Sequence, residues 1–117
     1  MAQAGLHGLA GLAMRKLPFH KKWVLTGIVA GNILPDLDSL LVAWATLSGG
    51  DSQGLHRTWS HSLIFILSLL IVFHIISKLN KSPWITALGI GLSIGILAHV
   101  MVDIFIWFRG VQFLWPF

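Results

Sequence analysis

An all-α integral membrane helical bundle is the fold class this sequence predicts, and three observations predict it. Apolar residues fill 56% of the 117 positions and the mean hydropathy is +0.81, well above what a water-soluble domain carries. They fall in long runs without the strict alternation of half-buried strands. The 12 glycines and 6 tryptophans suit helices that approach closely through small residues and anchor through aromatic ones at membrane interfaces. At this length the chain reads as a single domain, residues 1–117.

Composition also narrows the chemistry. Eight Lys and Arg against four Asp and no Glu give a net charge of +4. Most of these cations lie in short connections between apolar runs, so they read as topology signals and not as a nucleic-acid surface. With no cysteine, disulfides, thiolate metal sites and cysteine nucleophiles are excluded, and any metal must be held by His and Asp. The opening Met-Ala-Gln-Ala lacks the basic leader of a secretory signal, so the N-terminal stretch is expected to belong to the mature protein.

Taken in order, Ala2 to Met14 is a short helix candidate with Ala4, His7, Gly8 and Gly11 on one face. At about 20 Å it is short for a crossing. A basic connector follows, with Arg15, Lys16, Lys21 and Lys22 around Pro18. Trp23 to Leu47 is long enough to span, but Pro35 removes a backbone hydrogen bond in its middle and predicts a broken helix. Gly27 and Gly31 give its first half a close-packing face.

The break carries Asp36 and Asp38, two of the four carboxylates. Either could sit at a helix start for its dipole. Two together at membrane depth also read as hard oxygen ligands for a cation. A polar loop, Ser48 to Gly54, leads into His56-Arg57-Thr58-Trp59-Ser60-His61-Ser62, where Ser60 is expected to cap the next helix. His61 to Leu79 forms the third apolar segment, with His74 remote from the other polar groups. After a basic turn, Lys78 to Ser82, Pro83 and Trp84 open the last helix, which runs to about Phe108. Its inner face repeats every four residues as Gly91, Gly95, His99 and Asp103. That His-x-x-x-Asp pair chelates a metal, or the Asp orients the His. Arg109-Gly110 and the aromatic tail from Phe113 to Phe117 are expected to anchor at the interface.

If the three long segments each cross, Arg15, Lys16, Lys21, Lys22, Lys78 and Lys81 share one side, the cytoplasmic one by the positive-inside rule. Counting along the helices then puts Asp36, Asp38, His56, His61, His99 and Asp103 in the opposite half, with Arg57 at the rim.

This ordered set resembles the YdjM-like family of inner-membrane proteins regarded as metal-dependent hydrolases. The resemblance rests on His7-Gly8, Leu34-Pro35-Asp36-Leu37-Asp38, His56-Arg57 with Ser60-His61-Ser62, Ala98-His99 with Asp103, and Gly110-Val111 with Leu114-Trp115-Pro116-Phe117. It covers almost the whole chain. Ser60 stands where threonine is more usual, which keeps the hydroxyl. The family is itself distantly similar to zinc-dependent phospholipases C. By that resemblance His7, Asp36, His56, His61, His99 and Asp103 are metal ligands, zinc being the expected ion, and Asp38 is a ligand or a supporting group.

The function expected is therefore membrane-embedded, metal-dependent hydrolysis of phosphoester or lipid-like substrates, with Arg57 on an anionic phosphate oxygen and Asp38 beside it in the reaction. The alternative is a non-catalytic accessory or assembly subunit of a membrane complex. Membrane lipids, and in the second case other membrane subunits, are the expected partners. The expected location is the inner membrane, multi-pass, with the site facing the non-cytoplasmic side.

Overall fold

The computed structural model describes residues 9, 12, 13, 22–53, 57–107 and 111–117. Their regular structure is helical throughout, without a strand among them. Of the short N-terminal helix, Leu9, Leu12 and Ala13 are helical. His7, His56, Arg109 and the connector around Arg15, Lys16 and Lys21 lie outside the described residues.

The first described helix, α1, spans Lys22–Ile33. A 3-10 turn, Leu34–Leu37, follows, and α2 continues over Asp38–Leu47. Pro35 has no amide to donate, so hydrogen bonding tightens there. The backbone stays right-handed helical through Ile33, Leu37 and Asp38. The expected break is therefore a change of hydrogen-bond register within one 26-residue apolar stretch, Lys22–Leu47, and not a reversal of the chain.

The third helix, α3, is Leu63–Leu79, and α4 is Pro83–Trp107. The Lys22–Leu47 stretch and α4 are long and apolar enough to cross a membrane. The third segment is shorter than expected: at 17 residues α3 covers about 25 Å, a little under a hydrocarbon core of ~30 Å. Its start is displaced because Trp59–His61 closes a 3-10 turn first. Ser62, extended at φ −91° and ψ 150°, is the cap, its Oγ accepting from the Phe65 amide. Ser60, the expected cap, is turned elsewhere. Ser62→Ala should thus lower stability by about 1 kcal/mol, read as the midpoint of thermal unfolding in detergent. An unchanged midpoint would mean that the hydroxyl contributes nothing to the helix start.

Helices α1 and α4 run parallel along a glycine seam. A Cβ built on Gly27 would stand 2.8 Å from the Gly91 Cα, and one on Gly95 would stand 2.9 Å from the Gly31 Cα. Only hydrogen fits between these backbones. At one end of the seam Trp23 packs on Trp84, ring centroids 4.7 Å apart. Lys22, Lys78 and Lys81 lie at that end, as the charge pattern predicts. Helix α3 returns antiparallel to α4, with Phe73 against Gly89 and the Ser93 hydroxyl donating to the Ile66 carbonyl at 3.4 Å. Ile66, Ile96 and Val100 form the core between them.

The tail does more than its aromatic composition suggests. Val111 and Phe113 pack on the core, the Gln112 amide donates to the Arg57 carbonyl at 3.0 Å, and the Leu63 amide donates to the Phe113 carbonyl at 2.8 Å. Leu114, Trp115 and Phe117 remain exposed. Polarity is inverted overall. Leu40, Trp44, Leu47, Ile71 and Phe105 face outward, while Asn32, Asp38, His61, His99 and Asp103 are buried.

Candidate metal centre

The buried polar groups converge from four segments. The 3-10 turn carries Asp36, the start of α2 carries Asp38, the 3-10 turn before α3 carries His61, and α4 carries His99 and Asp103 one turn apart. His61 and His99 are fully buried and their Nε2 atoms stand 3.2 Å apart. Asp36 Oδ1 lies 3.6 Å from His99 Nε2. Asp103 Oδ2 lies 3.6 Å from His61 Nε2 and 3.8 Å from His99 Nε2.

The hydrogen bonds behind each imidazole decide where its proton sits. His99 Nδ1 is 2.8 Å from the Asn32 carbonyl oxygen. A carbonyl can only accept, so Nδ1 carries the hydrogen and the neutral ring presents a lone pair at Nε2. That carbonyl is available because of Pro35: in the 3-10 register the amide of residue 36 turns to carbonyl 33, off carbonyl 32.

His61 reaches the same state by another route. Ser60 Oγ donates to Asp38 Oδ2 at 2.8 Å and lies 2.9 Å from His61 Nδ1. Its single proton is committed to the carboxylate, so His61 Nδ1–H donates to the hydroxyl oxygen and the lone pair is again at Nε2. The two Nε2 atoms stand 3.2 Å apart, flanked by two carboxylates. With a lone pair on each, a shared proton or a metal ion between them would relieve their repulsion.

Charge leads to the same point. Among the described residues the cluster holds the carboxylates of Asp36, Asp38 and Asp103 and the Arg57 guanidinium, whose Nε is 3.4 Å from Asp103 Oδ2. Buried carboxylates need cationic or hydrogen-bonding partners. Asp36 Oδ2 is buried and accepts no hydrogen bond. A divalent ion would be one such partner. The spacing fits too, since ligand atoms ~2.0–2.1 Å from a tetrahedral zinc are about 3.3–3.4 Å apart. The ligand atoms of Asp36, His61 and His99 all lie within 4.8 Å of one another.

Four of the residues singled out in the sequence, Asp36, His61, His99 and Asp103, are brought together, and Arg57 joins them with its side chain 15% exposed. Asp38 is placed differently from a reacting group: it sits behind His61, 3.6 Å from Nδ1, accepting from Ser60 and from the Arg57 amide at 3.0 Å. His7 and His56 fall outside the described residues. His74 is exposed near the other end of α3.

Sequence reasoning missed Asn32, whose contribution is a main-chain oxygen, and Ser60 as a link to Asp38. The available signal for Asn32 was its place beside Gly31 on the seam and three residues before Pro35. Arg57 takes a left-handed φ of 60°, uncommon without a glycine. Its amide bond to Asp38 and its carbonyl bond to Gln112 hold it there.

A family model described as YdjM inner membrane protein matches residues 4–117. No curated protein and no solved structure matches the chain.

Proposed function

The chain belongs to the YdjM inner membrane protein family, and from that premise we propose that it is a membrane-embedded, metal-dependent hydrolase of phosphoester or lipid-like substrates. The observation that carries this reading is the convergence of His61, His99, Asp36 and Asp103, with the two imidazole Nε2 atoms 3.2 Å apart between two carboxylates.

His61, His99, Asp36 and Asp103 would hold the ion, for which zinc fits best among the hard and borderline cations. A bound divalent ion supplies Lewis-acid chemistry and lowers the pKa of water towards ~7. The chain's own groups prepare for it. The Asn32 carbonyl and the Ser60–Asp38 pair hold each imidazole in the tautomer that can coordinate. Arg57 neutralises part of the carboxylate charge through Asp103, and its guanidinium is the group assigned to an anionic phosphate oxygen. His61, His99 and Asp103 are buried away from bulk water. The inverted polarity supports a multi-pass arrangement, and the lysines gathered at one end support placing that end at the cytoplasm and the centre in the opposite half of the bilayer.

The test is elemental analysis of protein purified in mild detergent without chelator, paired with hydrolysis of a chromogenic phosphodiester. About one divalent ion per chain is expected. Turnover should stop on chelation and return with zinc. A well-folded protein that holds no divalent ion and recruits none on dialysis against zinc would end the reading.

A further inference from the structure

The other end of the molecule holds a second polar feature that the metal centre does not use. Between the end of α3 and the start of α4 lies a cavity of about 470 Å³. It is lined by Lys78 and Lys81, by the hydroxyl residues Ser77, Ser82 and Thr86, and by His74. Pro83 is sixteen residues before His99 on α4, so the two sites are about 24 Å apart along the helix.

We propose that this cavity binds a phosphate group presented at the membrane surface, the headgroup of an anionic phospholipid. Three observations converge on that chemistry. The cavity is cationic without an internal counter-charge: Asp36, Asp38 and Asp103 are held in the metal centre, and the fourth carboxylate, Asp51, lies beyond α2 and accepts from the Gln53 amide. The first turn of α4 also carries no acid.

The turn is preformed as well. Ser77 Oγ donates to the Ser82 carbonyl at 2.8 Å and the Ser82 amide returns to the Ser77 carbonyl at 3.0 Å, so little ordering remains on binding. Lys81 occupies the turn at φ 52°, where glycine would be less strained. Finally, the depth is right. Trp84 follows directly and packs against Trp23 with tilted rings, and paired tryptophans beside lysines mark the headgroup level, where basic pockets between helices take up anionic lipid.

The experiment is calorimetric titration of short-chain phosphatidylglycerol into the full chain in a neutral detergent, with phosphatidylcholine and inorganic phosphate as parallel arms. Saturable binding of phosphatidylglycerol is expected. Lys78→Ala/Lys81→Ala should weaken it roughly thirtyfold, about fivefold for each lysine lost beside an anionic group. Lys78→Arg/Lys81→Arg should retain it. Lys22→Ala, at the same end but outside the cavity, should change it less than about twofold. Displacement of the lipid by inorganic phosphate would support the phosphate site with the free anion as its ligand, and failure to displace it would support the headgroup. Equal binding of phosphatidylcholine, an equal loss in Lys22→Ala, or no saturable binding would each overturn the proposal. None of these results depends on metal or on hydrolysis.

Discussion

Gly95→Leu is expected to force α1 and α4 apart and to pull the His/Asp cluster apart with them. At Gly95 even a methyl group would meet the Ile28 carbonyl oxygen, the Gly31 Cα and the Asn32 amide nitrogen. All three are backbone atoms that no rotamer change can move. Overpacked cores usually lose 1–3 kcal/mol because side chains yield. Here the helix axes must shift, so a loss of at least about 3 kcal/mol is expected. Since Gly95 lies one turn before His99, the shift also breaks the bond from His99 Nδ1 to the Asn32 carbonyl. Gly50→Ala is the control, its nearest neighbour being 3.5 Å away. Unfolding midpoints in detergent and metal content both read the effect. A Gly95→Leu protein that unfolds at the wild-type midpoint would show that the seam is not a close contact.

Metal affinity should fall in a graded series. His99→Ala removes a donor atom and should weaken binding by more than about a hundredfold. Asp38→Asn removes none, yet should weaken it by about ten- to a hundredfold, the range for groups that orient a ligand. The asparagine amide can donate to Ser60, which releases the serine proton towards His61 Nδ1. The imidazole hydrogen then moves to Nε2, where it blocks coordination. Ser60→Ala should fall between these limits and His74→Ala should match wild type. Competition titrations against a chromogenic zinc chelator give the four affinities. If Asp38→Asn binds zinc like wild type, the tautomer argument fails, and if His99→Ala does so the centre itself fails.

Much of this site was legible because helical periodicity is local. His99 and Asp103 are four apart, so they share a face wherever the helix goes, and Gly91 and Gly95 continue that face onto a seam with Gly27 and Gly31. The unread parts all depend on what the chain meets at long range. Nothing near Asn32 in sequence shows that its carbonyl will face an imidazole 67 residues away. Ser60 and Ser62 are equally good caps by type. The choice falls on Ser62 because Ser60 is drawn to an aspartate 22 residues earlier. The tail's aromatic composition gives the anchor reading, but its main-chain pairing with residues 57 and 63 carries no compositional mark. The same holds for Asp38, whose place behind His61 follows from the turn geometry around it.

The parallel seam also orders the events of folding. Helices α3 and α4 are joined by a three-residue turn and form a hairpin of local contacts, the kind that closes early. That hairpin already brings His61 and His99 together. It lacks Asp36 and the carbonyl that sets the His99 tautomer, both supplied by a helix made earlier in synthesis that must wait for its partner. If the cluster holds an ion as proposed, that ion stabilises the docked state over the hairpin alone, and so acts on the last docking step. Scarcity of the ion would then be felt as a population of chains whose first helix has not settled, open to quality-control proteolysis, before any catalytic deficit is visible.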